Sequence, residues 1–216
     1  MYMTSSARPK LRTQERQAGL VQAALQLAAE KSPVEITTGD LAQVVGITQG
    51  AVFKHFESKE AIWLAVLDWA HQALMARLQA VVTEPGPQVA HIEVLRAVFM
   101  AHIQFVQAYP GVPRLVFQEL QHAKATPLKE RAQSLMRDYR QLVMGLLDEA
   151  VQAQSISAQL DITAATVLFM GAVQGLVMQS LMAGSLQSMH LQAAAVFNIY
   201  ANGLPRVPAR TTRKKT

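Results

Sequence analysis

Residues 37–60 read TTGDLAQVVGITQGAVFKHFESKE. The chain around them is rich in Ala, Leu and Val, yet here the helical pattern breaks twice, each time at polar punctuation. Thr37 has the chemistry of an N-cap, and Asp40, three residues on, that of its capping-box partner. The spacing predicts a helix over 38–45 that buries Leu41 and either Val44 or Val45. Gly46 supplies the tight turn that follows. Thr48 caps a second short helix, residues 49 to about 55, with Val52 and Phe56 facing inward. Ser58 caps a long third helix, and Glu60 in its first turn is favoured by the helix dipole.

Two short helices joined by a glycine-containing turn form a helix-turn-helix. The second helix of such a pair needs a small, polar leading edge, because that edge enters the major groove. Thr48, Gln49, Gly50 and Ala51 meet this need. A Gln amide bonds adenine bidentately, and the methyls of Thr and Ala fit a thymine methyl. Gly50 has no side chain to hold the backbone off a phosphate. Lys54 and His55, one turn on, point toward the strand. Lys59 stands at a helix N-terminus, itself an anion site.

With these residues in place, the stretch 36–67, ITTGDLAQVVGITQGAVFKHFESKEAIWLAVL, resembles the DNA-binding signature of the TetR family of bacterial transcriptional regulators. The Thr-Thr lead, Asp-Leu-Ala, Gly-Ile-Thr, Lys-His-Phe and Ser-Lys-Glu fall at the family's spacing. The likeness covers about residues 13–70 and beyond that is one of helix order only. It implies an all-α fold of about nine helices: an N-terminal three-helix DNA-binding domain and a larger C-terminal helical domain for ligand binding and dimerisation. It also implies a homodimer on a palindromic double-stranded DNA operator, with repression as the default and release by a small-molecule effector. Carried over residue by residue, it adds Thr38 and Phe53 to Thr48, Gln49, Gly50, Ala51, Lys54, His55 and Lys59 as DNA contacts. Phe53 stands where the family usually has tyrosine, so any phosphate bond from a phenol is lost there and packing remains. Thr37 and Asp40 read as caps, and His55 also fits a packing role against the first helix.

The rest of the chain supports one helical class. Of 216 residues, half are hydrophobic and 16% are charged, which argues against extended disorder. No cysteine is present, so disulfides, thiolate metal sites and a cysteine nucleophile are excluded. The N-terminus has basic residues without an apolar run, so no secretory signal is expected, and a cytoplasmic location is the expectation. The net charge of +5 is uneven: five of the twenty basic residues lie from Arg206 onward with no acid among them. Arg8, Lys10, Arg12 and Arg16 form a second cluster. Basic arms of this kind suit phosphate backbones or simple solvation.

Helical periodicity continues over 13–30, with Ala18, Val21, Ala24, Leu25 and Ala28 on one face, and over 59–82. The prolines and glycine of 83–88 are the clearest break. Further helices follow at 92–106, from Arg114 to about 122, from Pro127 to about 153, from Asp161, and from Ser188 to about 202. The expected division is a DNA-binding domain at 10–60, a ligand and dimer domain at 61–203, and a basic tail at 204–216. Residues 162–184 carry no charge and are long enough to cross a membrane. The polar residues spread around them favour burial in a core or a subunit interface, so no membrane partner is expected and the homodimer is placed on 162–184 and 188–200.

The C-terminal half offers pocket candidates: Phe99, His102, Phe117, Tyr139, Phe169, Met170 and Gln174. Aromatics and methionine around a few polar groups suit an apolar or amphipathic effector, although core packing explains the same pattern. Arg114, Arg137 and Arg140 are the cations available to an acidic ligand. The six histidines include no i,i+4 pair, so no metal and no cofactor are expected. No nucleophile elbow, phosphate loop or dinucleotide turn occurs, so the chain is not read as an enzyme. The rival readings are a membrane-anchored regulator and a helical small-molecule carrier that never touches DNA.

Overall fold

The computed structural model describes residues 7–205 apart from 85, 87, 88, 187 and 188, with 7–12 described by backbone alone. Those residues form nine α-helices and no strand. In chain order they are α1 (Ala7–Glu30), α2 (Thr38–Val45), α3 (Gln49–Val52), α4 (Lys59–Thr83), α5 (His91–Ala108), α6 (Gly111–Leu120), α7 (Pro127–Gln152), α8 (Ile162–Met182) and α9 (Met189–Gly203). The chain folds as two compact units that interleave along the sequence. One holds the residues up to Leu74 together with Ala108–Leu135. The other holds Met75–Gln107 and the residues from Met136 on.

In the first unit, Leu20, Ala24 and Ala28 of α1 and Leu41, Val52, Ile62 and Leu67 of the helices that follow are all buried. Helix α6 packs on α1 so closely that a Cβ at Gly111 would lie 2.5 Å from the Ala28 Cβ. Arg114 donates to the carbonyl oxygens of Ala29 at 3.0 Å and Ala28 at 3.4 Å. The guanidinium thus serves carbonyls that the end of α1 leaves unbonded, and this, not an acidic ligand, is its place. Helix α6 also starts earlier than Arg114, at Gly111, because a proline is tolerated in the first turn, where Pro113 has no helical acceptor to lose.

Three further expectations need correction. Ala18 is exposed, and the buried face of α1 runs through Leu20, Val21, Ala23, Ala24, Leu25 and Ala28. Val44 is 42% exposed and Val45 only partly covered, so α2 buries Thr38, Leu41 and Ala42 instead. Helix α3 ends at Val52, and residues 53–55 are turns closed by Lys54 N–H to Ala51 O and His55 N–H to Val52 O.

The second unit centres on rings. Phe99 of α5, Tyr139 of α7, Phe169 of α8 and Phe197 and Tyr200 of α9 are each no more than 4% exposed. Asp161 caps α8 by accepting from the Ala164 amide at 2.9 Å. Helix α8 is the one described helix with the length and composition to cross a membrane. One face buries Ala165, Phe169, Val173, Leu176 and Val177 within the unit. The other leaves Val167, Leu168, Met178 and Met182 open, as α9 leaves Leu191 and Ile199. Ser188 and the tail from Arg206 lie outside the described residues.

Candidate nucleic-acid interface and aromatic core

The helix-turn-helix is assembled from short-range hydrogen bonds. Thr37 Oγ1 accepts from the Asp40 amide at 3.1 Å, and Asp40 Oδ2 accepts from the Thr37 amide at 2.8 Å, completing the capping box. The Thr37 amide and hydroxyl, with Lys31 Nζ at 3.4 Å, hold the Asp40 carboxyl below its ordinary range. Gly46 closes α2 with φ 70°, and its amide donates to Ala42 O and Gln43 O. Only glycine enters that left-handed region without strain. Thr48 Oγ1 accepts from the Ala51 amide at 3.3 Å and so fixes the start of α3.

The short α3 therefore presents Thr48, Gln49 and Gly50 to solvent, with Ala51 partly covered beside them. Gln49 is not loose: its Nε2 donates to Thr38 Oγ1 at 2.9 Å. Thr38 is only 9% exposed, so its hydroxyl is turned to Gln49 and its own reach outward is small. The arrangement places one amide of α3 by a hydroxyl of α2, and sequence reading missed it because it read the two residues as separate contacts. Phe53, 50% exposed, and Lys54 stand on the turn after α3. Lys59 is partly covered, and its Nζ donates to Val34 O at 3.0 Å.

His55 takes the packing role. It is partly buried beside α1, its carbonyl accepts from Gln17 Nε2 at 2.8 Å, and its Nδ1 is sealed with no partner. It lines a recess of about 580 Å³ with Thr13, Arg16, Gly19 and Val45. Glu15 completes that wall beside Arg16, the one Lys or Arg that lines it among the described residues.

Of the pocket candidates, the second unit brings together Phe99, His102, Tyr139 and Phe169. Phe99 meets Phe169 edge-on at 5.4 Å, His102 meets Tyr139 edge-on at 4.9 Å, and Tyr139 lies 6.5 Å from Phe169. Phe197 and Tyr200, which sequence reading did not single out, complete the cluster at 5.4 Å from Phe99 and Phe169 respectively. Their signal was present as aromatics three apart on the last helix. Met170 is half-buried, and Gln174 is exposed with its Nε2 3.9 Å from Met136 Sδ. Phe117 belongs to the first unit, on α6.

The polar atoms of this cluster are unusual in having no partner. His102 Nδ1, Tyr139 Oη and Tyr200 Oη are all sealed from solvent and unbonded. Burial pulls the His102 imidazole down to about 4, so the ring is neutral at pH 7. Burial likewise pushes both phenols up, and at Tyr139 the nearby Tyr200 adds to the rise. No group of three or more metal-ligating side chains occurs among the described residues.

Two family models match the chain. Residues 20–66 fit the model of bacterial regulatory proteins of the tetR family, and residues 116–196 fit that of the tetracyclin repressor-like C-terminal domain. Among characterised relatives, the nucleoid occlusion factor SlmA of Vibrio vulnificus is 26% identical over 151 residues, spanning 69% of this chain and 74% of that protein. SlmA of a Marinomonas species is 28% identical over 102 residues, 47% of this chain and half of the relative's length (50%). The fold is shared with a TetR regulator of Chloroflexus aurantiacus (TM-score 0.76, 16% identity, 91% of this chain and 99% of that one). It is shared as well with FadR of Bacillus subtilis bound to stearoyl-CoA (TM-score 0.72, 17% identity, 86% and 98%). The ketosteroid regulator KstR2 of Mycobacterium tuberculosis gives a TM-score of 0.71 at 20% identity, over 89% and 96%.

Proposed function

We propose that this chain, which belongs to the TetR family of bacterial regulatory proteins, is a cytoplasmic repressor that binds a palindromic operator as a homodimer and leaves it when a small molecule occupies the C-terminal domain. The domain division that goes with this reading is 10–60 for DNA, 61–203 for ligand and dimer, and 204–216 as a basic tail. The observation that carries it is the tethering of Gln49 to Thr38, because an amide held at the leading edge of α3 is a preorganised base reader. Thr48, Gly50 and Ala51 shape the same edge, while Phe53, Lys54 and Lys59 are assigned to the phosphate backbone. His55 supports the edge from behind.

The dimer is assigned to the open faces of α8 and α9. Leu168 is 60%, Met182 75%, Leu191 72% and Ile199 75% exposed, and uncharged helices with open apolar side chains suit burial against a partner subunit. Nothing lies within 4 Å of a Cβ built at Gly171 or Gly175, so a partner helix has room to come close. Gly175→Leu is expected to shift the protein toward monomer or insoluble material. A dimer reads half-sites about 34–36 Å apart or a multiple of that, so a ligand that favours another spacing releases it. Helix α4, continuous from Lys59 to Thr83, is the assigned lever.

Selection of bound genomic fragments by the full chain tests this reading. A small set of palindromic sites beside a few transcription units is the expected result. The SlmA relatives favour a second reading, a nucleoid occlusion factor, and DNA binding without an effector response or a few regulated transcription units would select it.

A further inference from the structure

Three buried polar atoms without partners lie in one aromatic cluster of the second unit. They are His102 Nδ1, Tyr139 Oη and Tyr200 Oη, from α5, α7 and α9. The ring chain His102–Tyr139–Phe169–Tyr200, with steps of 4.9, 6.5 and 5.4 Å, joins them through Phe169. Tyr139 is 1% and Tyr200 4% exposed. A sealed polar atom that bonds nothing forfeits its hydration with no return, so folded proteins rarely leave one unmet, and three in one cluster ask for a visitor.

The chemistry of that visitor follows from what the cluster lacks. No charged side chain of the second unit is buried among the described residues. Arg96 stacks on Phe197 at 4.8 Å, but its guanidinium is engaged by Glu93 Oε2 at 3.1 Å and Asn198 Oδ1 at 2.8 Å. An anion placed among the rings would lose its water and gain no countercharge. An ammonium would meet ring faces but no buried carboxylate to offset its lost water. Two phenol O–H donors and one imidazole nitrogen suit an oxygen that accepts from the phenols and a hydroxyl or carbonyl face that meets the ring nitrogen.

We propose that the effector site of the second unit is this cluster, and that its ligand is an uncharged, compact, largely apolar molecule carrying a carbonyl or hydroxyl oxygen, seated against Phe169 with the oxygen on Tyr139 and Tyr200. The assignment rests on the regulator reading above and narrows it: a long-chain anion such as an acyl thioester of coenzyme A is not the ligand of this site.

The test uses the full chain and three probes of one skeleton: naphthalene, naphthol and naphthoate. Calorimetric titration at pH 7 is expected to give naphthol an affinity about tenfold above both others. Tyr139→Phe combined with Tyr200→Phe is expected to bring naphthol to within about threefold of naphthalene. Melting temperature supplies a readout independent of any probe. Removing a hydroxyl that bonds nothing leaves the fold as stable or more so, whereas removing one that bonds a hidden water or neighbour lowers it. A fall in melting temperature for both single variants overturns the proposal. So does equal or tighter binding of naphthoate, a naphthol preference that survives the double variant, or no binding of any probe. Operator binding by the same preparation separates the two levels. A chain released from DNA by stearoyl-CoA but indifferent to naphthol keeps the regulator reading and loses this ligand. A chain that binds naphthol through the two tyrosines but no DNA keeps the site and loses the regulator.

Discussion

The two units treat their polar groups in opposite ways. At the reading edge of the first, each capping group finds a partner close in sequence. Thr37 and Asp40 are three residues apart, and Thr38 and Gln49 eleven. In the core of the second, His102, Tyr139 and Tyr200 come from three helices and find none. Local bonds preorganise an edge before anything binds, which suits base reading. Unmet groups store a cost that an occupant can relieve, which suits sensing. His55, whose Nδ1 is also unmet, is the exception in the first unit, and it lies behind the edge rather than on it.

The largest expected effect tests whether the edge acts singly or in pairs. Leu168→Glu with Ile199→Glu places two carboxylates on faces 60% and 75% exposed, so each subunit folds as before. If those faces meet a partner, sedimentation will show monomer and operator affinity will fall by more than about a hundredfold, since one edge then works alone. A dimer that persists would move the interface off α8 and α9.

Next in size is a pair of glycine substitutions with opposite signs. Gly111→Ala drives a Cβ to 2.5 Å from Ala28 Cβ and 2.9 Å from its backbone carbon, which cannot swing away. A loss of about 1–3 kcal/mol of stability is expected. Gly145→Ala, in the middle of α7 with nothing within 4 Å, should gain about 0.5–1 kcal/mol. Denaturant midpoints on the two variants decide it.

The acid response should belong to the second unit. His102 is neutral in the fold, with its pKa pulled down to about 4, and ordinary in the unfolded chain. Below about pH 6.5 the unfolded state therefore binds more protons, so stability falls as the pH drops from 6.5 toward 4 and levels off below that. The loss between pH 7 and 5 is expected to be on the order of 2 kcal/mol. His102→Phe should flatten that part of the profile. Asp40 works the same way at lower pH, since its depressed carboxyl pKa makes the capping box weaken as it protonates.

How much of this was legible follows from the same contrast. Capping chemistry is local, so Thr37, Asp40, Gly46, Thr48 and Asp161 declared the starts and stops of their helices, and the order of helices followed. Helix α3 was overread because a four-residue helix has no period to count, and turns continue its shape. The start of α6 was missed because Pro113 reads as a stop while a first turn tolerates it. The interleaving of the units leaves no local mark, since the return of Ala108–Leu135 to the first unit depends on contacts such as Gly111 with Ala28. Four of the seven pocket candidates came together because aromatics at helical spacing converge on a core. Phe197 and Tyr200 were overlooked in a helix read only as an interface.

The smallest effects lie at the edge itself. Gln49→Ala should relax base preference at one or two positions of each half-site, at about 1–3 kcal/mol. Thr38→Val should do less of the same thing. Valine keeps the volume of the buried side chain but removes the acceptor that holds Gln49 Nε2 at 2.9 Å. The amide then samples several rotamers and must be ordered again on binding, a cost of about 0.5–1.5 kcal/mol, or roughly twofold to tenfold in affinity. That loss should fall on the same base positions that Gln49→Ala relaxes. The double variant should be no weaker than Gln49→Ala alone, because a tether without an amide to hold has nothing left to lose. Competition binding over a set of half-site variants measures all three. Additive losses would mean that Thr38 touches the operator in its own right, and a Thr38→Val variant with unchanged preference would mean that Gln49 reaches its base without being held.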